Sequence, residues 1–160
     1  MANLKVRTTF NMEITGTYTF NASPERVWNL LMDPAVLSSC IPGCDKFDPT
    51  GDDRYTVTLT VGLAAITGTY SGTVQLVDQV PHSSYRLIVE GQGRPGFVKG
   101  SSAIALTPGG DTTQVDVTAD VQTGGLIARV GQRMIGGVAK MMMDRFFGCL
   151  QGKLDSRSTT

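Results

Sequence analysis

The chain has 160 residues, 41% hydrophobic and 18% charged, enough for one domain with a sizeable core and too few for two comfortable ones. Lysine plus arginine and aspartate plus glutamate both number 14, so net charge offers no general attraction to nucleic acid and no pull toward an acidic substrate. Three cysteines without a cleavable apolar segment after Met1 predict a reducing cytoplasm rather than a disulfide framework, and no apolar run reaches the ~18 residues that span a bilayer.

The ends lack a clear period, so a domain is expected over 12–153, between a flexible segment 1–11 and a flexible tail 154–160. Met12, Ile14, Gly16, Tyr18 and Phe20 alternate with Glu13, Thr15, Thr17 and Thr19, the pattern of a strand with one buried face. Ser23-Pro24-Glu25 then supplies a cap, a first-position proline and a first-turn acid for a short helix carrying Val27, Trp28, Leu30 and Leu31. A second short helix follows Asp33-Pro34 and ends before Ile41-Pro42-Gly43. From Cys44 to Gln122 the pattern is about six antiparallel strands, with Tyr55, Val57, Leu59 and Val61, then Ile66, Tyr70, Val74 and Leu76, on buried faces. Tyr85, Leu87 and Val89, the strand from Phe97 to Thr107, and Val115, Val117, Ala119 and Val121 continue the series.

After Gly124-Gly125 one long helix is expected from Leu126 to Leu154. Its Leu126, Ile127, Val130, Met134, Val138, Met141, Met142 and Cys149 recur at helical spacing and form a broad apolar face. Gly131, Gly136, Gly137 and Gly148 each cost about 1 kcal/mol relative to alanine there and supply no bulk, while the methionines adapt to irregular partners. That filling suits the wall of an adaptable cavity, although it also suits close approach of an ordinary core helix to the sheet. The expected lining is Leu59, Val61, Tyr70, Leu87, Ile104 and Val117 from the strands, with Met134, Gly137, Val138 and Met142 from the helix. Met143 and Phe147 fall among Arg129, Arg133 and Lys140 on the opposite face, where they are expected to be exposed as a membrane or partner contact.

Catalytic equipment is sparse. Gly91-Gln92-Gly93-Arg94-Pro95-Gly96 matches the dinucleotide fingerprint, but a strand rather than a helix follows it, so the glycines are assigned to a bend or a curved strand. Cys40 and Cys44 are expected as free thiols and His82 as a turn residue, with no metal site. Asp116 and Asp120 point outward, leaving only Tyr70, Tyr85 and Arg145 as candidates for inward acid-base work.

Ala22-Ser23-Pro24-Glu25-Arg26-Val27-Trp28 followed by Cys40-Ile41-Pro42-Gly43-Cys44 resembles the opening of the carbon monoxide dehydrogenase G-subunit family, and the similarity extends over roughly Met12 to Lys153. The resemblance implies the α+β helix-grip fold of the START-related superfamily, a curved antiparallel sheet of about seven strands wrapped around a long C-terminal helix. It further implies a non-enzymatic accessory protein, peripheral to the inner face of the cell membrane, that links a molybdenum-containing carbon monoxide dehydrogenase to electron transport. The implied cargo is a respiratory quinone, menaquinone first, held without a covalent cofactor. An anchoring subunit without cargo, or a cyclase or hydrolase of the same fold, are the alternatives. Some relatives carry a longer C-terminal extension suspected of membrane attachment; this sequence stops at Thr160, so either the terminal helix makes the contact or the chain is truncated.

Overall fold

The computed structural model describes residues 9–62 and 66–158. Seven strands form one antiparallel sheet in the order β1-β7-β6-β5-β4-β3-β2. β1 (Thr9–Phe20) leads into two short helices, α1 (Pro24–Leu31) and α2 (Pro34–Cys40). A meander follows: β2 (Cys44–Gly51), β3 (Arg54–Val61), β4 (Gly68–Val80), β5 (Ser84–Gly93), β6 (Gly96–Gly109) and β7 (Thr112–Gly125). The chain then enters α3 (Leu126–Arg129) and α4 (Gln132–Ser158). This is the expected helix-grip arrangement. The first strand reaches back to Thr9 and the last helix on to Ser158, beyond the expected domain limits, while residues 1–8 and 159–160 of the expected flexible ends lie outside the described residues.

Local chemistry explains the two helix starts. The Ser23 hydroxyl accepts from the Arg26 amide at 3.3 Å and the Asp33 carboxylate from the Ala35 amide at 2.9 Å, with Pro24 and Pro34 occupying first-turn positions that need no N–H donor. The fingerprint-like glycines form the β5–β6 hairpin around Arg94 and Pro95, as their strand context required. Close strand approach also explains Gly72, where a Cβ would collide with the Glu90 carbonyl.

The terminal helix departs from the single element expected. Gly131 takes φ +97°, a conformation that an L side chain rarely adopts, and it separates α3 from α4. The break resets the helical phase. Ile135, Phe147, Leu150 and Leu154 are buried, with Ala139 and Met143 half-buried between them, so the inward face runs at spacings of three and four from Ile135 rather than from Leu126.

Phe147 and Met143 therefore do not lie on an exposed face. Phe147 is 5% exposed and stacks on Tyr18 with ring centroids 4.3 Å apart, and Met143 packs against the same cluster. That main core gathers Phe20, Trp28, Leu31, Tyr85, Leu106, Val115 and Leu150 beneath α1, α2 and the C-terminal half of α4. A smaller cluster of Ile66, Ile127 and Ile135 closes the opposite end, where α3 packs on β6 and β7.

The cysteines are a second correction. Cys40 at the end of α2 is joined to Cys149 of α4, and Cys44 is the free thiol. Sequence spacing had set Cys40 beside Cys44, but the fold carries the last helix over α2. Disulfides persist in oxidising surroundings, so the cysteines no longer argue for a reducing compartment.

Candidate functional site

Strand register fixes which side chains face α4. Ile14, Ala119, Ser102, Leu87 and Leu76 form one inward row across β1, β7, β6, β5 and β4; Met12, Val121, Gly100, Val89, Val74 and Tyr55 form the next. A helix packed tightly over the middle of such a sheet would bury these residues completely. Instead, all except Leu76 and Tyr55 are half-buried, between two clusters whose central residues are fully buried. The backbone of α4 comes closest to β1 rather than to the central strands. Small residues deepen the interval: a Cβ built on Gly91, on the next inward row, would meet nothing nearer than the Ser71 carbonyl oxygen at 3.9 Å. The result is an apolar groove between sheet and helix, open to solvent along its middle.

Three of the expected lining residues, Val61, Tyr70 and Val138, pack around the small cluster at one end of the groove. Leu59 and Leu87 are half-buried at its border with the main core, and Met142 is half-buried on α4. Ile104 and Val117 are 4% and 5% exposed and belong to the solid core, because strand alternation identifies an inward face without distinguishing a packed part from an open one. Met134, 43% exposed, and Gly137, also exposed, point outward because of the phase change at Gly131. The expected lining had missed the middle of the floor, Met12, Ile14, Ser102, Ala119 and Gly91; its signal was the set of small residues that strand pairing brings together.

Filling the groove at its most open point is a direct perturbation. Gly91→Phe should preserve the fold, since the added Cβ has space and phenylalanine suits a strand, and should abolish uptake of an apolar ligand. Circular dichroism beside a ligand titration checks both halves.

The β1 side of the groove is tied by polar contacts. The Tyr18 hydroxyl donates to Asp144 at 2.7 Å and accepts from Lys140 at 3.3 Å, while Lys140 and Asp144 pair at 3.2 Å. Hydrogen bonding from Tyr18, then Lys140, holds the Asp144 carboxyl below its ordinary range, whereas burial and the hydrogen bond to Asp144 raise the Tyr18 phenol. The acid-base candidates do not converge. The Tyr70 hydroxyl donates to the Ile66 carbonyl at 2.6 Å in the small cluster, Tyr85 is 3% exposed in the main core with burial pushing its phenol far up, and Arg145 is exposed. Asp116 accepts from Thr17 at 2.8 Å and from Gln114 on the outer face, and His82 is an exposed turn residue at φ +67°.

Two further concavities, of about 630 and 440 Å³, lie between rows of outward side chains, one across β1, β7 and β6 and the other across β4, β5 and β6. They are shallow and solvent-facing. Among the described residues no helix is long and apolar enough to cross a membrane.

Residues 16–155 match the family model of CoxG, the G subunit of carbon monoxide dehydrogenase. A conserved protein from Geobacillus kaustophilus is 38% identical in sequence and superposes with a TM-score of 0.88 over 91% of this chain and 96% of that one. The fold is shared at lower identity by a START superfamily protein from Mycobacterium smegmatis, 14% identical with a TM-score of 0.68 over 90% and 97% of the two chains. It is also shared by the Zhui aromatase/cyclase from Streptomyces sp. R1128, 17% identical with a TM-score of 0.68 over 93% and 96%. No curated protein is similar enough in sequence to count as a match.

Proposed function

The chain belongs to the CoxG family of carbon monoxide dehydrogenase, and on that basis we propose that it is a non-enzymatic carrier of an apolar ligand, a respiratory quinone such as menaquinone, between a carbon monoxide dehydrogenase and the cell membrane. The observation that carries this function is the half-buried apolar floor beneath α4. An anchoring subunit without cargo has no use for such a floor, and burying an isoprenoid tail there contributes about 25 cal/mol per Å² before ordering costs. The separation of Tyr70 from Tyr85 and the exposure of Arg145 favour a carrier over a cyclase or hydrolase.

The membrane-facing surface moves from Met143 and Phe147 to the end of the molecule beside the small cluster. Leu126 and Met134 are 54% and 43% exposed there, flanked by the exposed Arg94, Arg129 and Arg133. The Ile127 amide donates to the Pro95 carbonyl at 2.8 Å, which sets α3 beside the hairpin that carries Arg94. No acid occurs between residues 121 and 143, so this end suits anionic headgroups, with its two apolar side chains dipping past them.

Transfer of menaquinone from anionic vesicles to the protein tests the proposal. The wild type should extract the quinone, and the double change Leu126→Ser, Met134→Ser should slow extraction by about tenfold or more, the equivalent of one apolar side chain's burial, without weakening the affinity for quinone already in solution. Extraction at an unchanged rate by the double variant would remove the assigned surface, and no extraction by the wild type would remove the carrier function.

A further inference from the structure

The sheet has an outer face, away from the helices, and strand register maps its charges. Paired outward positions on β1 and β7 hold Glu13, Asp116 and Asp120 and no base. From β6 to β3 the paired outward positions hold Lys99, Arg86 and Arg54 against the single acid Glu90. Glu13 sits directly opposite Asp120, a like-charge pair that weakens the pairing of β1 with β7. Among the described residues these charges form no ion pair with one another. Asp116 accepts from Thr17 and Gln114, while Arg86 donates to Ser101 at 3.2 Å and Arg54 to Gln75 at 3.1 Å. The outer face is therefore acidic on one side and basic on the other.

Its centre is apolar. Phe97 on β6, Ile88 on β5 and Val77 on β4 point outward and are only half-buried, and Ala103 beside them is exposed. An apolar centre between charged margins is the layout of a protein interface. The size also fits: seven strands at about 4.8 Å and about eight residues at about 3.3 Å span roughly 800 Å², the share of one partner in an interface of standard size.

We propose that this face binds a second copy of the chain about a two-fold axis parallel to β5, the acidic side of each copy lying on the basic side of the other. Charge selects the axis. A two-fold running across the strands would lay β1 on β1 and acid on acid, whereas one along β5, the central strand, lays β7 on β3. Asp120 on β7, Ile88 on β5 and Arg54 on β3 share one register row. The axis therefore sets each Asp120 against Arg54 of the second copy, with the two Ile88 side chains between the two ion pairs. Strand direction is unchanged by this axis, so both copies present Leu126 and Met134 at the same end of the dimer while their grooves face away from each other. Resting on the carrier function, the dimer makes two contacts with one membrane, and the second becomes intramolecular once the first has formed.

Sedimentation velocity tests the dimer without any ligand. The wild type should sediment as a dimer, and raising the salt from about 0.05 to about 0.5 M should weaken association by about tenfold or more. Arg54→Glu and Asp120→Arg, each shown to be folded by circular dichroism, should each associate at least about tenfold more weakly, and their equimolar mixture should restore the dimer because the exchanged charges again oppose each other. A monomeric wild type, or variants that dimerise as tightly as the wild type, would overturn the proposal. Anionic vesicles test the shared direction: the mixture should bind them about tenfold more tightly than either variant alone. Equal binding by a restored dimer would overturn the common orientation and leave the carrier function intact, whereas an intact dimer that takes up no menaquinone would uphold the interface and remove the carrier function alone.

Discussion

Replacing Phe147 with alanine should destabilise the protein by about 3–5 kcal/mol, the range for truncating a large buried aromatic side chain. The ring is 5% exposed, stacks on Tyr18 at 4.3 Å, tilts against Phe20 at 5.9 Å and meets Phe146 edge-on at 5.0 Å. It is where the long helix grips β1, because Tyr18 and Phe20 are inward residues of that strand. Truncation removes apolar burial and leaves a cavity that neighbours held by a sheet cannot easily collapse into. Urea unfolding followed by circular dichroism measures the loss. A change below about 1 kcal/mol, the scale of a surface substitution, would mean that the residue is not in the core and that the helix phase set by Gly131 is wrong.

The second large effect is expected at the Cys40–Cys149 disulfide. The two residues are separated by 109 positions, so the bond removes the conformational freedom of most of the chain from the unfolded state and should contribute about 2–5 kcal/mol. It also fastens α2 to the C-terminal half of α4, which closes the main-core end of the groove. Cys149→Ser or added reductant should lower the urea midpoint, whereas Cys44→Ser should not, because that thiol forms no disulfide. Burial and then the neighbouring Asp45 raise the Cys44 thiol, which makes it a poor nucleophile for competing exchange. Coincident unfolding curves for reduced and oxidised protein, or three titratable thiols in the denatured chain without reductant, would contradict the pairing.

The strands were legible because alternation such as Tyr55, Val57, Leu59 and Val61 is imposed by the pleat itself, and the helix starts at Ser23-Pro24 and Asp33-Pro34 because caps are local. What failed was non-local. Gly131 is one of several glycines in the last segment, and nothing in its neighbours distinguishes the one at positive φ from Gly136, Gly137 and Gly148, which sit inside α4. That single ambiguity turned Met134 and Gly137 outward and Phe147 inward. The pairing of Cys40 with Cys149 required knowing where the last helix crosses α2. Ile104 and Val117 were correctly placed on the inward face, but the difference between solid core and open groove depends on how far the helix stands from each strand, which no period in one strand encodes.

Whether the groove beneath α4 holds an apolar molecule is tested by mass spectrometry of the organic extract of protein purified without detergent from a quinone-producing host, beside Gly91→Phe. A near-stoichiometric quinone in the wild type and none in a folded Gly91→Phe protein is the predicted result. An extract without a bound apolar molecule, and no uptake when menaquinone is added, would contradict it.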